Sequence, residues 1–213
     1  MKIIGIVMFY EPKKKNHGLA HNPFNSLIVP RPIGWISSLD LDGIPNLAPY
    51  SFFNAVSYQP PTVMFSSGTG AAKDGLKDSL RNIENTKEFV CNLATWDFRE
   101  EMNESSKNVP SAVDEITMTG LTTLESRLVS APRLAEAPVN LECKYVKSIA
   151  VPGWSDADNF KIILGEVIGV HIKDEFINQE GVVDIAALQP IGRLGGNDYT
   201  LVSAQSFFTL KRP

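Results

Sequence analysis

The stretch RPIGWISSLDLDGIPNLAPYSFFNAVSYQPPTVMFSSGTGAAKDGLKDS, Arg31 to Ser79, carries the decisive pattern of this 213-residue chain. Apolar runs at 33–39 and 44–50 flank the turn chemistry of Asp40 to Gly43, which predicts a hairpin with a loop longer than two residues. The Pro60-Pro61 pair bars continuation of the preceding run and fixes where the next strand, 62–66, begins. A hydroxyl- and glycine-rich bend, Ser66 to Gly70, then leads into an amphipathic segment. Leu76, Leu80 and Ile83 recur at helical spacing and predict a helix over 73–86, with Lys73, Lys77 and Arg81 on a neighbouring face. Such a surface suits a small anionic ligand with a flat aromatic ring.

Working outward, further strands are expected at 88–94, 140–150, 160–173 and 199–209, and shorter helices at 97–107 and 111–117. Strands clustered in this way, with helices inserted between them, favour a closed or nearly closed antiparallel barrel over a doubly wound sheet. No internal repeat or long linker divides the chain, and its length fits one sizeable domain.

Composition narrows the function. With 43% hydrophobic and 21% charged residues the chain reads as an ordinary soluble globular protein. A net charge of −4 argues against nucleic acid as a partner, while leaving room for a local basic pocket. Cys91 and Cys143 sit in separate apolar runs without CxxC spacing, so buried free thiols and a reducing, cytoplasmic compartment are expected. The N-terminal apolar run is too short for a bilayer and lacks signal-peptide organisation, so no membrane association is expected; Met8 is a candidate start.

Chemistry-bearing residues are few. His17 and His21 are separated by Gly18 and followed by Asn22-Pro23, which reads as a loop and not a metal site. His171 alternates within a strand with no acid or nucleophile partner in view, and no hydrolytic triad or HExxH is present. The Ser66–Gly70 bend and Lys77 to Ser79 form a candidate anion site at a helix start, although Ser, Thr and Gly also make ordinary caps and turns. Trp35 to Ser38 and Ala48 to Asn54 combine apolar walls with hydroxyls, as a flavin ring needs and as a core strand also does. Arg193-Leu194-Gly195-Gly196-Asn197-Asp198-Tyr199 is good turn chemistry whose Arg193 and Tyr199 are placed to border a ligand. The 151–159 loop presents Trp154 among acids, as a movable wall or an ordinary surface loop.

In order and spacing, PRPIGWISS (30–38), GIPNLAPYSFFN (43–54), QPP (59–61), KDSLRNIENTKEFVCNL (77–93), GEVIGVHI (165–172) and RLGGNDY (193–199) resemble the flavin reductase-like family of FMN-binding split barrels. The resemblance implies a mainly β fold with inserted helices: a six-stranded antiparallel Greek-key split β-barrel, spanning 22–213 after an N-terminal extension, 1–21. It further implies a homodimer with FMN at the subunit interface. Trp35, Ile36, Ser37 and Ser38 and Ala48, Pro49, Tyr50 and Ser51 would lie along the isoalloxazine and ribityl chain. Asn54, Ser66, Ser67, Lys77, Asp78 and Ser79 would lie near the phosphate, with Asp78 orienting Lys77 or a backbone donor. Arg193 and Tyr199 would reach the flavin or the nicotinamide from the partner subunit.

The implied activity is hydride transfer from NAD(P)H to flavin N5, then electron delivery to a second acceptor or to a monooxygenase partner. No protein acid or base is required, because the cofactor performs the difficult step. Many NADH-using members carry a His after a Gly-acid pair on a late strand, whereas this chain has Gly165-Glu166-Val167, with His171 further on. The pattern therefore speaks for FMN more directly than for nicotinamide. An electron-carrier flavoprotein and a non-catalytic split-barrel binding module are the alternative readings.

Overall fold

The turn at Asp40 sets the first hairpin. The Asp40 carboxylate accepts from the backbone N–H of Asp42 (2.9 Å) and Ile44 (2.8 Å), and the Asp40 N–H donates to the Ile44 carbonyl. The computed structural model describes residues 7–70 and 75–212. In chain order the elements are α1 (Phe24–Leu27), β1 (Arg31–Pro32), β2 (Gly34–Leu39), β3 (Pro45–Tyr50), β4 (Phe53–Tyr58), β5 (Pro61–Gly68) and α2 (Asp78–Thr86). There follow β6 (Glu88–Leu93), α3 (Arg99–Glu104), α4 (Glu115–Met118), β7 (Thr123–Leu124), β8 (Arg133–Leu134), β9 (Val139–Val151), β10 (Phe160–Ile172), α5 (Ile185–Leu188), β11 (Ile191–Arg193) and β12 (Tyr199–Leu201).

The main sheet is antiparallel throughout, in the order β3-β2-β6-β9-β10-β5-β4. Its two end strands, β3 and β4, are consecutive in the chain. The bend between them at Ser51–Phe52 is held by the Ser66 N–H donating to the Phe52 carbonyl at 2.8 Å. Counted as one bent strand, β3 and β4 close the sheet into a six-stranded ring, so the expected barrel appears with one strand split in two. The β5-to-β6 connection passes through α2 and joins strands that are not neighbours, which gives the Greek-key path. A smaller sheet, β1-β11-β12, ties the C-terminal segment to the start of the barrel.

Apolar side chains fill two cores. Ile36, Val63, Phe65, Phe89, Cys91, Cys143 and Ile163 pack inside the barrel, with Leu80 and Ile83 of α2 against them. Trp35, Leu47, Met102, Ile116, Leu134 and Ile191 form a second cluster. Neighbouring residues of one strand face opposite sides, so β2 puts Ile36 in the first core and Trp35 in the second. Both faces of β2 are therefore covered. The two cysteines are buried free thiols, and burial together with the neighbouring Cys143 pushes the Cys91 thiol up. Gly165 permits one close approach: a Cβ there would stand 2.3 Å from the Phe89 ring.

Several boundaries differ from the sequence reading. The helix expected over 73–86 begins at Asp78, because Gly75 has φ +70°, outside the right-handed helical region, and Lys77 is the extended N-cap. Lys73 lies outside the described residues. The strand expected over 199–209 ends at Leu201, where its pairing with β11 stops. The helix expected over 111–117 starts after Asp114, whose carboxylate caps the Ile116 N–H at 2.8 Å. Strand β4 (Phe53–Tyr58) is not among the strands expected from the sequence. Among the described residues, no helix is long and apolar enough to cross a membrane.

Candidate functional site

The β3–β4 bend, the end of β5 and the N-terminus of α2 converge on two adjoining chambers of about 440 and 460 Å3. They meet at Tyr50, Thr69 and Lys77, which line both. The first chamber is walled by Ala48, Leu76 and Tyr50, with Asn46, Ser79 and Glu115 supplying polar groups. The second is lined by Pro49, Ser51, Phe52, Ser66 and Phe160, and by three cations, Arg31, Lys77 and Arg193. Among the described residues, no carboxylate lines this second chamber. In a chain of net charge −4, three cations converging on one chamber make a strong local preference for an anion.

Each cation is held differently. Arg31 is 8% exposed; its guanidinium donates to the carbonyls of Asn25, Ile28 (2.8 Å) and Leu194 (2.6 Å), and its Nε has no hydrogen-bond partner among the described residues. Burial, then the neighbouring Arg193, push its pKa down. Arg193 donates to the Tyr199 hydroxyl and the Gly196 carbonyl and stacks on the Tyr199 ring at 4.5 Å. Lys77 makes no hydrogen bond or ion pair among the described residues; its Nζ lies 5.9 Å from the Tyr50 ring centroid. Its charge is thus available to a ligand.

The polar groups of the first chamber form a directed chain. Both carboxylate oxygens of Glu115 accept from the Asn46 amide nitrogen (2.9 Å each), and Oε2 also accepts from the Leu47 N–H (3.0 Å). That fixes the Asn46 carbonyl toward Ser79, whose hydroxyl donates to it at 2.6 Å. The proton of Ser79 is committed to Asn46, so toward the chamber this hydroxyl acts as an acceptor. The Tyr50 hydroxyl is buried beside Ser79 and Ser67 without a well-formed hydrogen bond, and burial pushes its pKa up. Glu115 is also pushed up, by burial against the opposing pull of Leu47 and Asn46.

Of the residues the sequence singled out, Ala48, Pro49, Tyr50, Ser51, Ser66, Lys77, Asp78, Ser79 and Arg193 line these chambers. Tyr199 lines the neighbouring cavity. Trp35 to Ser38 are not brought to either chamber. Trp35 is 1% exposed with its indole N–H donating to the Ser105 hydroxyl (2.9 Å). Ser37 donates to the Pro132 carbonyl (2.6 Å), Ser38 accepts from Asn82 (3.4 Å), and Ile36 is in the barrel core. Ser67 is buried behind the bend and Asn54 lies on the exposed strand β4. Asp78 does not orient Lys77: its carboxylate pairs with Arg81 and accepts from the Ser111 hydroxyl (2.7 Å). Arg31, Asn46 and Glu115 also line these chambers, and no local pattern marks them in the sequence. Arg31 opens the diagnostic stretch, but its partner Leu194 lies 163 residues away and leaves no local signal.

The donor set of cations and hydroxyls suits a phosphate, and the walls of Ala48, Tyr50, Leu76, Phe52 and Phe160 suit a flat ring. The residues present therefore fit a flavin nucleotide. The flavin reductase like domain pattern matches residues 26–186. An uncharacterized protein of Aquifex aeolicus is 39% identical over 173 residues, which cover 81% of this chain and 85% of that protein. Nitrilotriacetate monooxygenase component B from Bacillus cereus superposes with a TM-score of 0.86 at 28% identity, covering 97% of this chain and all of that one (100%). The 2-nitrobenzoate 2-nitroreductase of Pseudomonas fluorescens gives 0.76 at 29% identity, covering 89% and 88% of the two chains. On this match, and with a split barrel that carries the cationic cleft, the chain belongs to the flavin reductase-like family.

Proposed function

We propose that the protein is an FMN-binding flavin oxidoreductase that takes hydride from NAD(P)H, within a single domain formed by residues 22–213. The observation that carries this reading is the chamber of Arg31, Lys77 and Arg193, with no carboxylate among its described lining residues, joined at Tyr50 to an apolar-walled one. Lys77 and the Ser66 hydroxyl would hold the phosphate, with the Arg31 and Arg193 charges in support. Ala48 to Ser51 would line the ring and ribityl chain. When bound, the flavin supplies hydride acceptance and one-electron or two-electron delivery.

The chain's own residues then bind, orient and exclude water. Tyr50 and Phe52 supply apolar walls, and the directed Glu115–Asn46–Ser79 chain holds the first chamber's floor in one hydrogen-bonding sense. Similarity to a protein named a monooxygenase component supports delivery of reduced flavin to a monooxygenase. A homodimer is proposed through the outer face near β4, where Val56 and Tyr58 are exposed, the latter at 92%. Analytical ultracentrifugation tests it, and a monomer at micromolar concentration overturns it.

One observation favours the electron-carrier alternative. His171 is engaged by the buried Glu142 at 2.5 Å, away from both chambers, and Val167 packs against the barrel core. Neither is poised for a nicotinamide. The purified protein should carry visible flavin absorbance, with FMN released on denaturation. Anaerobic NADH and NADPH then separate the readings. Bleaching within turnover time supports the reductase, bleaching by neither leaves the carrier, and absence of stoichiometric FMN leaves the binding module.

A further inference from the structure

A third cavity, of about 750 Å3, lies between the segment 96–106 and the strands β11 and β12, and shares Arg193 with the cationic chamber. Its walls are two arginine–aromatic stacks. The Arg99 guanidinium lies 4.0 Å from the Trp96 ring centroid and the Arg193 guanidinium 4.5 Å from that of Tyr199. Met102 and Ile191, both buried, contribute apolar surface.

Trp96 is 43% exposed, yet it is not on a loose loop. Its N–H donates to the Gln189 carbonyl at 3.0 Å, and adjacent Thr95 bridges Pro190 in antiparallel pairing. A large aromatic ring is thus held on fixed backbone with much of its surface in water, which leaves apolar area uncovered that a stacking ligand would bury. Arg99 spends Nη1 on the Trp96 carbonyl (2.7 Å) and Nε on Glu100 (3.5 Å), leaving Nη2 with no partner among the described residues. Among the described residues, Glu100 is the only carboxylate lining the cavity, and its side chain is 79% exposed, so solvent screens it. The net preference is for negative charge next to a flat ring.

We propose that this cavity is a second ligand site that takes a planar aromatic anion, stacked on Trp96 and paired with Arg99. Arg193, common to both cavities, sets that ligand beside whatever occupies the cationic chamber. Two sources share this chemistry: the adenosine phosphate portion of a dinucleotide, and an aromatic carboxylate. The volume falls within the usual range for small-ligand sites, roughly 300–1,000 Å3.

The test is equilibrium dialysis of the full-length protein against adenosine 5′-monophosphate and, separately, benzoate. Saturable binding of at least one is expected, and the tighter of the two assigns the source. Arg99→Gln should weaken that binding about tenfold, and Trp96→Leu by a similar factor, as loss of a cation contact or a stacking surface does. Trp154→Phe, on an exposed loop outside the cavity lining, should leave it unchanged. Arg99 is partly exposed, so its variant decides the matter if Trp96→Leu fails to fold. Absence of saturable binding to either probe overturns the proposal, as does binding that Arg99→Gln leaves intact. The proposal is independent of the flavin reading: FMN affinity, measured in parallel, is expected to survive Arg99→Gln. A wild-type protein that binds the aromatic anion but not FMN would sink the flavin reading alone.

Discussion

Glu142 and Glu115 are both buried glutamates, at 0% and 5% exposure, in two different regions of the molecule. Glu142, on β9, faces the 125–131 segment. It accepts from the backbone N–H groups of Arg127 (2.8 Å) and Leu128 (2.6 Å) and contacts His171 Nε2 (2.5 Å). Burial would raise its pKa, but these donors outweigh it and the carboxyl ends below its ordinary value. Glu115, at the cavity, has three contacts from Asn46 and Leu47 and a neighbouring negative charge at Asp78, and its pKa ends above the ordinary value. Burial is common to both; the balance of donors and charges decides the sign. The scaffold side neutralises its buried charge within the chain. The cavity side leaves charge under-compensated, in Glu115 as in Arg31, Lys77 and Arg193, whose chamber has no carboxylate among the described residues.

Breaking the scaffold side should cost most. Glu142→Ala leaves two backbone N–H groups and His171 without their acceptor, and should destabilise the fold by about 3 kcal/mol, read from the urea midpoint at constant m-value. The pH dependence has a definite sign. With its folded pKa depressed, Glu142 contributes stability above the ordinary carboxylate pKa, and that contribution is lost as pH falls from there through the lower folded value. Glu88 behaves alike: burial raises it, but Lys144 and the Ser130 N–H pull it down further. Acid unfolding of the wild type should therefore be steeper than that of Glu142→Ala. Equal steepness would show that the Glu142 carboxyl titrates alike in the folded and unfolded chain.

On the cavity side, Lys77→Ala should do the reverse. Because Lys77 has no hydrogen bond or ion pair among the described residues, its loss should leave the urea midpoint unchanged within error. FMN binding should weaken about 30-fold, the value of one charge-assisted contact, ~2 kcal/mol. Fluorescence quenching of added FMN measures it. An unchanged affinity would remove Lys77 from the phosphate site and leave Arg31 and Arg193 as its cations.

The same contrast explains what the sequence made legible. Strands β9 and β10 announce themselves as long apolar runs, and the Asp40–Gly43 turn and the Arg193–Tyr199 turn carry their own local chemistry. The backbone segments that shape the site, Ala48 to Ser51 and Lys77 to Ser79, were visible because motif order survives in the chain. Which side a residue faces was not. Trp35 and Ile36 are adjacent in a strand covered on both faces, so alternation sends them to different cores and composition cannot tell a cofactor wall from a core. Long-range satisfaction was equally invisible: Ser37 finds Pro132, Trp35 finds Ser105, and Arg31 finds Leu194 only after folding.

The smallest effect sharpens the comparison furthest. Glu115→Gln keeps the shape of the side chain and one acceptor oxygen, which can still take the Asn46 amide or the Leu47 N–H. It removes a charge that burial disfavours. A group whose folded pKa is raised lowers stability when ionised, and that cost is relieved as pH falls through the folded value toward the unfolded one. At neutral pH the substitution should therefore shift stability by no more than about 1 kcal/mol, in either direction, because the lost hydrogen bond and the relieved desolvation oppose each other. FMN affinity should change little, since Asn46 can keep its carbonyl toward Ser79. A loss as large as that of Glu142→Ala would mean that Glu115 is compensated as fully as Glu142, and the distinction between scaffold and cavity charges would fail at this residue.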